Sequence, residues 1–151
     1  MSVEPKILLF KGRGIVSWAI RFQTRSKYSH AAILMPNGNI IESWQGKGVQ
    51  INQLKNWDNI DVFSVDGMTD EQWKVAIDFA LEQKGKKYDY SGVFRFLSRR
   101  RKTANGDKKW FCSELVFHAI QHAAMYLLQR IQADEVAPGH LSLSPLLILD
   151  K

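Results

Sequence analysis

The sequence predicts an α+β fold, and three observations carry that reading. Short strand-like runs crowd the first half of the chain after a single helix. Helical periodicity dominates the second half. No Pro/Gly/Ser-rich stretch is long enough to separate domains, so residues 1–151 read as one domain. The 151 residues, 45% of them hydrophobic and 24% charged, suffice for a buried core and exclude a disordered chain.

The elements follow in order. Lys6 to Phe10 is a short strand, punctuated by Gly12 and Gly14. Ile15 to Gln23 carries Ile15, Trp18, Ala19 and Phe22 at helical spacing. A polar break, Thr24-Arg25-Ser26-Lys27, precedes an apolar strand from His30 to Met35. Pro36-Asn37-Gly38 is a hairpin turn, and Asn39 to Trp44 returns as its second strand. Gly48 to Ile51 and Asp61 to Val65 read as two further strands. Thr69-Asp70-Glu71-Gln72 forms a capping box for a helix whose buried stripe is Trp73, Ala76, Ile77, Ala80 and Leu81, stopped by Gly85. Tyr90 to Leu97 reads as a short helix. Cys112 to Ile131 is the longest periodic stretch, with Glu114, His118 and His122 on its polar side. Pro138-Gly139 breaks the chain, and Leu146 to Leu149 is a last apolar segment.

Charge is concentrated in one place. Arg95 to Lys109 holds seven basic residues and one acid, Asp107, which equals the chain's whole net charge of +6. A nucleic-acid coat spreads its cations over a face or along helices, so no specific nucleic-acid partner is read here. A solvated loop or contact with an anionic surface fits better. No apolar run reaches the ~18 residues of a membrane span, and no cleavable leader is evident. A single Cys excludes an internal disulfide framework. A cytoplasmic location is the expectation that follows.

The chemistry-bearing residues are few. Cys112 opens a helix, where the positive end of the dipole and the free N–H groups favour the nucleophilic thiolate. His30 opens a strand after a polar turn. Glu42 is an acid inside an apolar strand and needs either solvent or a partner. The hairpin decides between these. A two-residue Asn37-Gly38 turn pairs Ile33 with Glu42 and puts the acid opposite His30. A three-residue loop with Gly38 left-handed pairs Ala32 with Glu42 and puts both residues on one face. Pro36 suits the start of the three-residue loop, which is the expected one. Glu114, His118 and His122 stand one helical turn apart, a spacing able to bind metal, but they lack an HExxH pattern and fall on the polar side.

At these residues the sequence resembles a family. Tyr28-Ser29-His30-Ala31-Ala32-Ile33, Ile41-Glu42-Ser43 and Phe111-Cys112-Ser113-Glu114-Leu115-Val116 are similar to the permuted papain-like cysteine hydrolases of the YiiX type, relatives of the NlpC-type cell-wall peptidases. Gly48-Val49, Lys87-Tyr88-Asp89 and Val136-Ala137-Pro138-Gly139 extend the likeness along nearly the whole chain. The pattern departs at His140, where relatives commonly carry an acid. The resemblance implies a small antiparallel sheet or half-barrel packed on the Cys-bearing helix. It implies Cys112 as nucleophile, His30 as general base, Glu42 as orienter of the imidazole and Tyr88 near the cleft. No cofactor and no metal are called for. The implied substrate is an amide or ester, peptidyl or lipid-like. The competing reading is a non-catalytic module that docks on an anionic membrane or polymer through the basic 95–109 segment and the amphipathic 15–25 segment.

Overall fold

The computed structural model describes residues 3–12, 15–90 and 109–150. Its elements are β1 (Lys6–Phe10), α1 (Ile15–Thr24), β2 (His30–Leu34), β3 (Asn39–Trp44), β4 (Gly48–Gln53), β5 (Ile60–Val65), α2 (Asp70–Glu82), α3 (Cys112–His122), a 3-10 turn at Ala133–Glu135, α4 (Pro138–Leu141) and β6 (Leu147–Leu149). The strands form one open six-stranded antiparallel sheet in the order β4-β3-β2-β1-β5-β6.

Alternation splits the sheet into two apolar faces. Ile7, Leu9, Ala31, Ile33, Met35, Ile41, Val49, Phe63 and Val65 join the main core with residues of α2 and α3. Leu8, Ala32, Leu34 and Ile40 form a second cluster with the partly buried Phe10, Leu54, Ile60 and Val62. Burial on both sides explains why all five residues of β2 are buried and why the strand reads as continuously apolar.

The hairpin adopts the three-residue loop. Ile33 pairs with Ile41 and Leu34 with Ile40, and Met35 N–H reaches Asn39 O at 2.8 Å. Gly38 donates to Met35 O and sits at φ 82°, the left-handed conformation that the loop requires. The next connection works the same way: Trp44 pairs with Gly48, which places Gln50 directly opposite Glu42.

The capping box of α2 is present in both directions, and Gln72 Nε2 also donates to Ala123 O at the end of α3. The Leu146–Leu149 segment becomes the edge strand β6 along β5.

Two expectations need correction. The helix expected from Cys112 to Ile131 ends at His122, because Ala124 turns left-handed at φ 59°. Leu127 is still buried, so the periodic pattern is met by an irregular segment that folds back on the core. Glu114, expected on a polar side, is buried, since α3 is covered on most sides over its first eight residues. On α1, Ile20 is the buried residue, whereas Trp18 and Phe22 are 58% and 66% exposed. The helix expected from Tyr90 to Leu97 and the basic segment lie outside the described residues, apart from Tyr90 and Lys109.

Candidate active site

The start of α3 is fixed by the segment before it. Trp110 N–H donates to Lys87 O and Asp89 N–H to Trp110 O, a parallel bridge that ties Tyr88 to Trp110. Ser43 Oγ, on β3, donates to Trp110 O at 2.6 Å, and Trp110 Nε1 donates to Gln83 Oε1 at the end of α2. Phe111 is extended at the N-cap and supplies no side-chain acceptor. Cys112 is the first helical residue, so its side chain stands at the positive end of the α3 dipole. Cys112 is buried in a cluster with Ile20, Tyr88 and Phe111.

His30 is pinned from the opposite side. Ser29 N–H donates to Phe10 O, and Gly12 N–H donates to Ser29 Oγ at 3.0 Å. Tyr28 Oη donates to Asp61 Oδ2 at 2.6 Å, and Lys11 and Lys27 also engage that carboxylate. The His30 ring stands edge-on to Phe10 and Trp44, with centroids 5.0 and 4.9 Å apart.

Glu42 meets this ring directly. His30 Nε2 and Glu42 Oε2 lie 2.6 Å apart, and both residues are buried. Gln50 Nε2 donates to the other carboxylate oxygen at 3.1 Å, with Asn52 Nδ2 at 3.5 Å. Burial alone would depress the imidazole's affinity for its proton. The negative charge and hydrogen bond of Cys112, then the hydrogen bond and charge of Glu42, outweigh it and raise the His30 pKa to about 9. Burial likewise opposes the Glu42 charge, but the His30 hydrogen bond and charge, with Gln50 and Asn52, hold its carboxyl below the ordinary range. Because Nε2 is engaged by Glu42, Nδ1 is the nitrogen left for the thiol.

Cys112, His30 and Glu42 thus meet. Tyr88 packs beside Cys112, and burial and the nearby negative charge push its phenol pKa upward, so it stays protonated. His140 accepts the Ala137 N–H on Nδ1 at 3.0 Å, so it caps α4 as an acid at that position would. His118 packs against Phe79 and Trp110, and the His122 ring lies tilted against Phe79 with centroids 4.6 Å apart. Among the described residues, no group of three or more His, Cys, Asp or Glu side chains could hold a metal ion. Gln50, Asn52, Phe10 and Trp44 were not singled out from the sequence. Strand parity could have found Gln50, because the Trp44–Gly48 turn sets it opposite Glu42.

The fold is a permuted papain-like one, with the His strand ahead of the Cys helix. Residues 8–137 match the family model described as permuted papain-like amidase enzyme, YaeF/YiiX, C92 family, and the chain belongs to that family. A probable lipoprotein peptidase, YaeF, from Escherichia coli strain K12 is 29% identical over 93% of this chain, which spans 63% of that relative's length. The crystal structure of the metalloprotein YiiX from Escherichia coli O157:H7 superposes with a TM-score of 0.73 at 23% identity, covering 97% of this chain and 94% of that one. Among the described residues, no helix is long and apolar enough to cross a membrane.

Proposed function

We propose that this protein is a cysteine hydrolase that cleaves an amide or ester through a Cys112 acyl-enzyme. The observation that carries the reading is the buried imidazole of His30 held between Glu42 and the thiol at the start of α3. The thiolate attacks the substrate carbonyl carbon, and the oxyanion that forms is stabilised by the positive end of the α3 dipole. The His30 imidazolium gives its proton to the departing nitrogen or oxygen, which leaves a thioester on Cys112. Neutral His30 then takes a proton from water, whose oxygen attacks the thioester and releases the acid and the thiol. Glu42 holds the ring in the working orientation and stabilises its charged form, while the protonated Tyr88 phenol lines the nucleophile's pocket.

The substrate class we favour is an acyl amide or ester that is peptidyl or lipid-like. Its support is the membership of an amidase family and the likeness to a relative named a lipoprotein peptidase. The test is a panel of peptidyl, acyl and lipid amides and esters, run with wild type and Cys112→Ala. Turnover by wild type alone, with an acyl adduct on Cys112 seen by mass spectrometry, is the expected result. Equal turnover by both proteins would overturn the assignment, and so would an adduct elsewhere.

A further inference from the structure

The exposed side of α1 does not look like the outside of an ordinary surface helix. Trp18 and Phe22 are one turn apart, 58% and 66% exposed, and stacked on each other with centroids 5.3 Å apart. At 3.6 residues per turn, Arg21, Trp18 and Phe22 fall within an arc of about 100° opposite the buried Ile20, with Arg21 half-buried and its Nε shielded from solvent. Arg25 follows the helix and is exposed. The helix sequence, IVSWAIRFQT, contains no acid.

We propose that α1 is a docking helix that seats the protein on an anionic lipid bilayer. Stacked aromatics are amphipathic anchors for the headgroup region, and the flanking arginines complement a dense negative surface. The opposite side of the helix packs Ile20 into the cluster that holds Cys112. A bilayer bound through α1 therefore lies about one helix diameter, ~10 Å, from the thiol. That position suits a membrane-borne acyl substrate of the proposed hydrolase, although the docking itself does not depend on turnover.

The test is cosedimentation of the whole chain with vesicles of phosphatidylcholine, with and without phosphatidylglycerol, at low and high salt. Wild type and Cys112→Ala should bind the anionic vesicles equally and lose most binding at high salt. The double variant Arg21→Gln/Arg25→Gln should weaken binding roughly fivefold per cation removed. Trp18→Ser/Phe22→Ser should abolish it, whereas Trp57→Ser, which removes an exposed Trp on the β4–β5 connection, should not. Circular dichroism checks that each variant is folded. No binding by wild type overturns the proposal, as does full binding by the Trp18/Phe22 variant. Loss confined to an Arg99→Gln/Arg100→Gln/Arg101→Gln variant also overturns it, because the contact would then be the basic segment. Retained binding by a Cys112→Ala protein without activity separates this proposal from the hydrolase reading.

Discussion

Glu42 is the residue on which sequence and structure bear most closely. An acid between Ile40 and Trp44 on one strand face is costly unless charge and hydrogen bonds compensate it. Here His30 takes one oxygen and Gln50 the other. Replacing Glu42 with Gln should lower kcat/KM by on the order of 10²–10⁴, the scale seen when the carboxylate behind a catalytic imidazole is neutralised. The sign of the accompanying pH effect follows from the causes of the His30 shift. The charged imidazole is needed as proton donor, so activity should fall as pH rises through about 9. Removing the carboxylate removes part of what raises that value, so the alkaline limb should move to lower pH. Gln50→Leu removes the nearer donor to the other carboxylate oxygen, leaves Asn52 Nδ2 at 3.5 Å, and should cost about tenfold. A pH–rate profile distinguishes the Glu42 effect from general destabilisation, which would lower the whole curve without moving its limb.

Two glycines separate conformational cost from steric cost among the strands and turns. Gly38 is left-handed at φ 82°, but a Cβ there would meet nothing within 4 Å. Gly38→Ala should therefore cost only the backbone term, about 1 kcal/mol, and leave the site intact. Gly48 is also left-handed, at φ 75°, and a Cβ there would run into the backbone of Lys86 and Lys87. Val49 N–H donates to Lys86 O at 2.8 Å and Gly85 N–H to Val49 O at 2.9 Å, so that backbone has no freedom to retreat. Gly48→Ala should cost about 3 kcal/mol or more, and urea midpoints of the two variants test the difference. The elements were legible wherever local chemistry decided them. Thr69 and Gln72 announced the cap of α2, and Pro36-Asn37-Gly38 set the loop that brings Glu42 to the face of His30. The end of α3 was not legible, because Leu127 continues the apolar period although the backbone has already turned at Ala124. Periodicity reports burial, and burial does not require helix. The sidedness of α1 was open for a related reason. Spacing groups Trp18 with Phe22, but nothing local says whether that stripe faces the core or the solvent.

At the scale of the molecule, Asp61, Glu42 and His30 are among the described groups that set how stability depends on pH. Asp61 is shielded from water, which opposes its charge, but Lys11, Tyr28 and Lys27 hold its carboxyl down to about 2. Its contribution is present above the ordinary 3.8 and is lost as pH falls through about 2. Glu42, also held low, acts in the same direction from its ordinary 4.5 downward. His30 has the opposite sign. Its folded value of about 9 lies above the ordinary 6.5, so its contribution is complete below 6.5 and disappears as pH rises through 9. Unfolding free energy should therefore be highest between about 4.5 and 6.5 and fall on both sides, for different reasons on each. Asp61→Asn should make the acid limb shallower, leaving the Glu42 part, and keep the alkaline one in place. His30→Gln should flatten the limb between 6.5 and 9, because no imidazole remains to release its proton. Urea unfolding at a series of pH values measures both slopes. An alkaline limb that persists in His30→Gln would mean that the charged imidazole is not part of the folded state's ionic balance. The thiol and Glu42 would then be held together by packing alone.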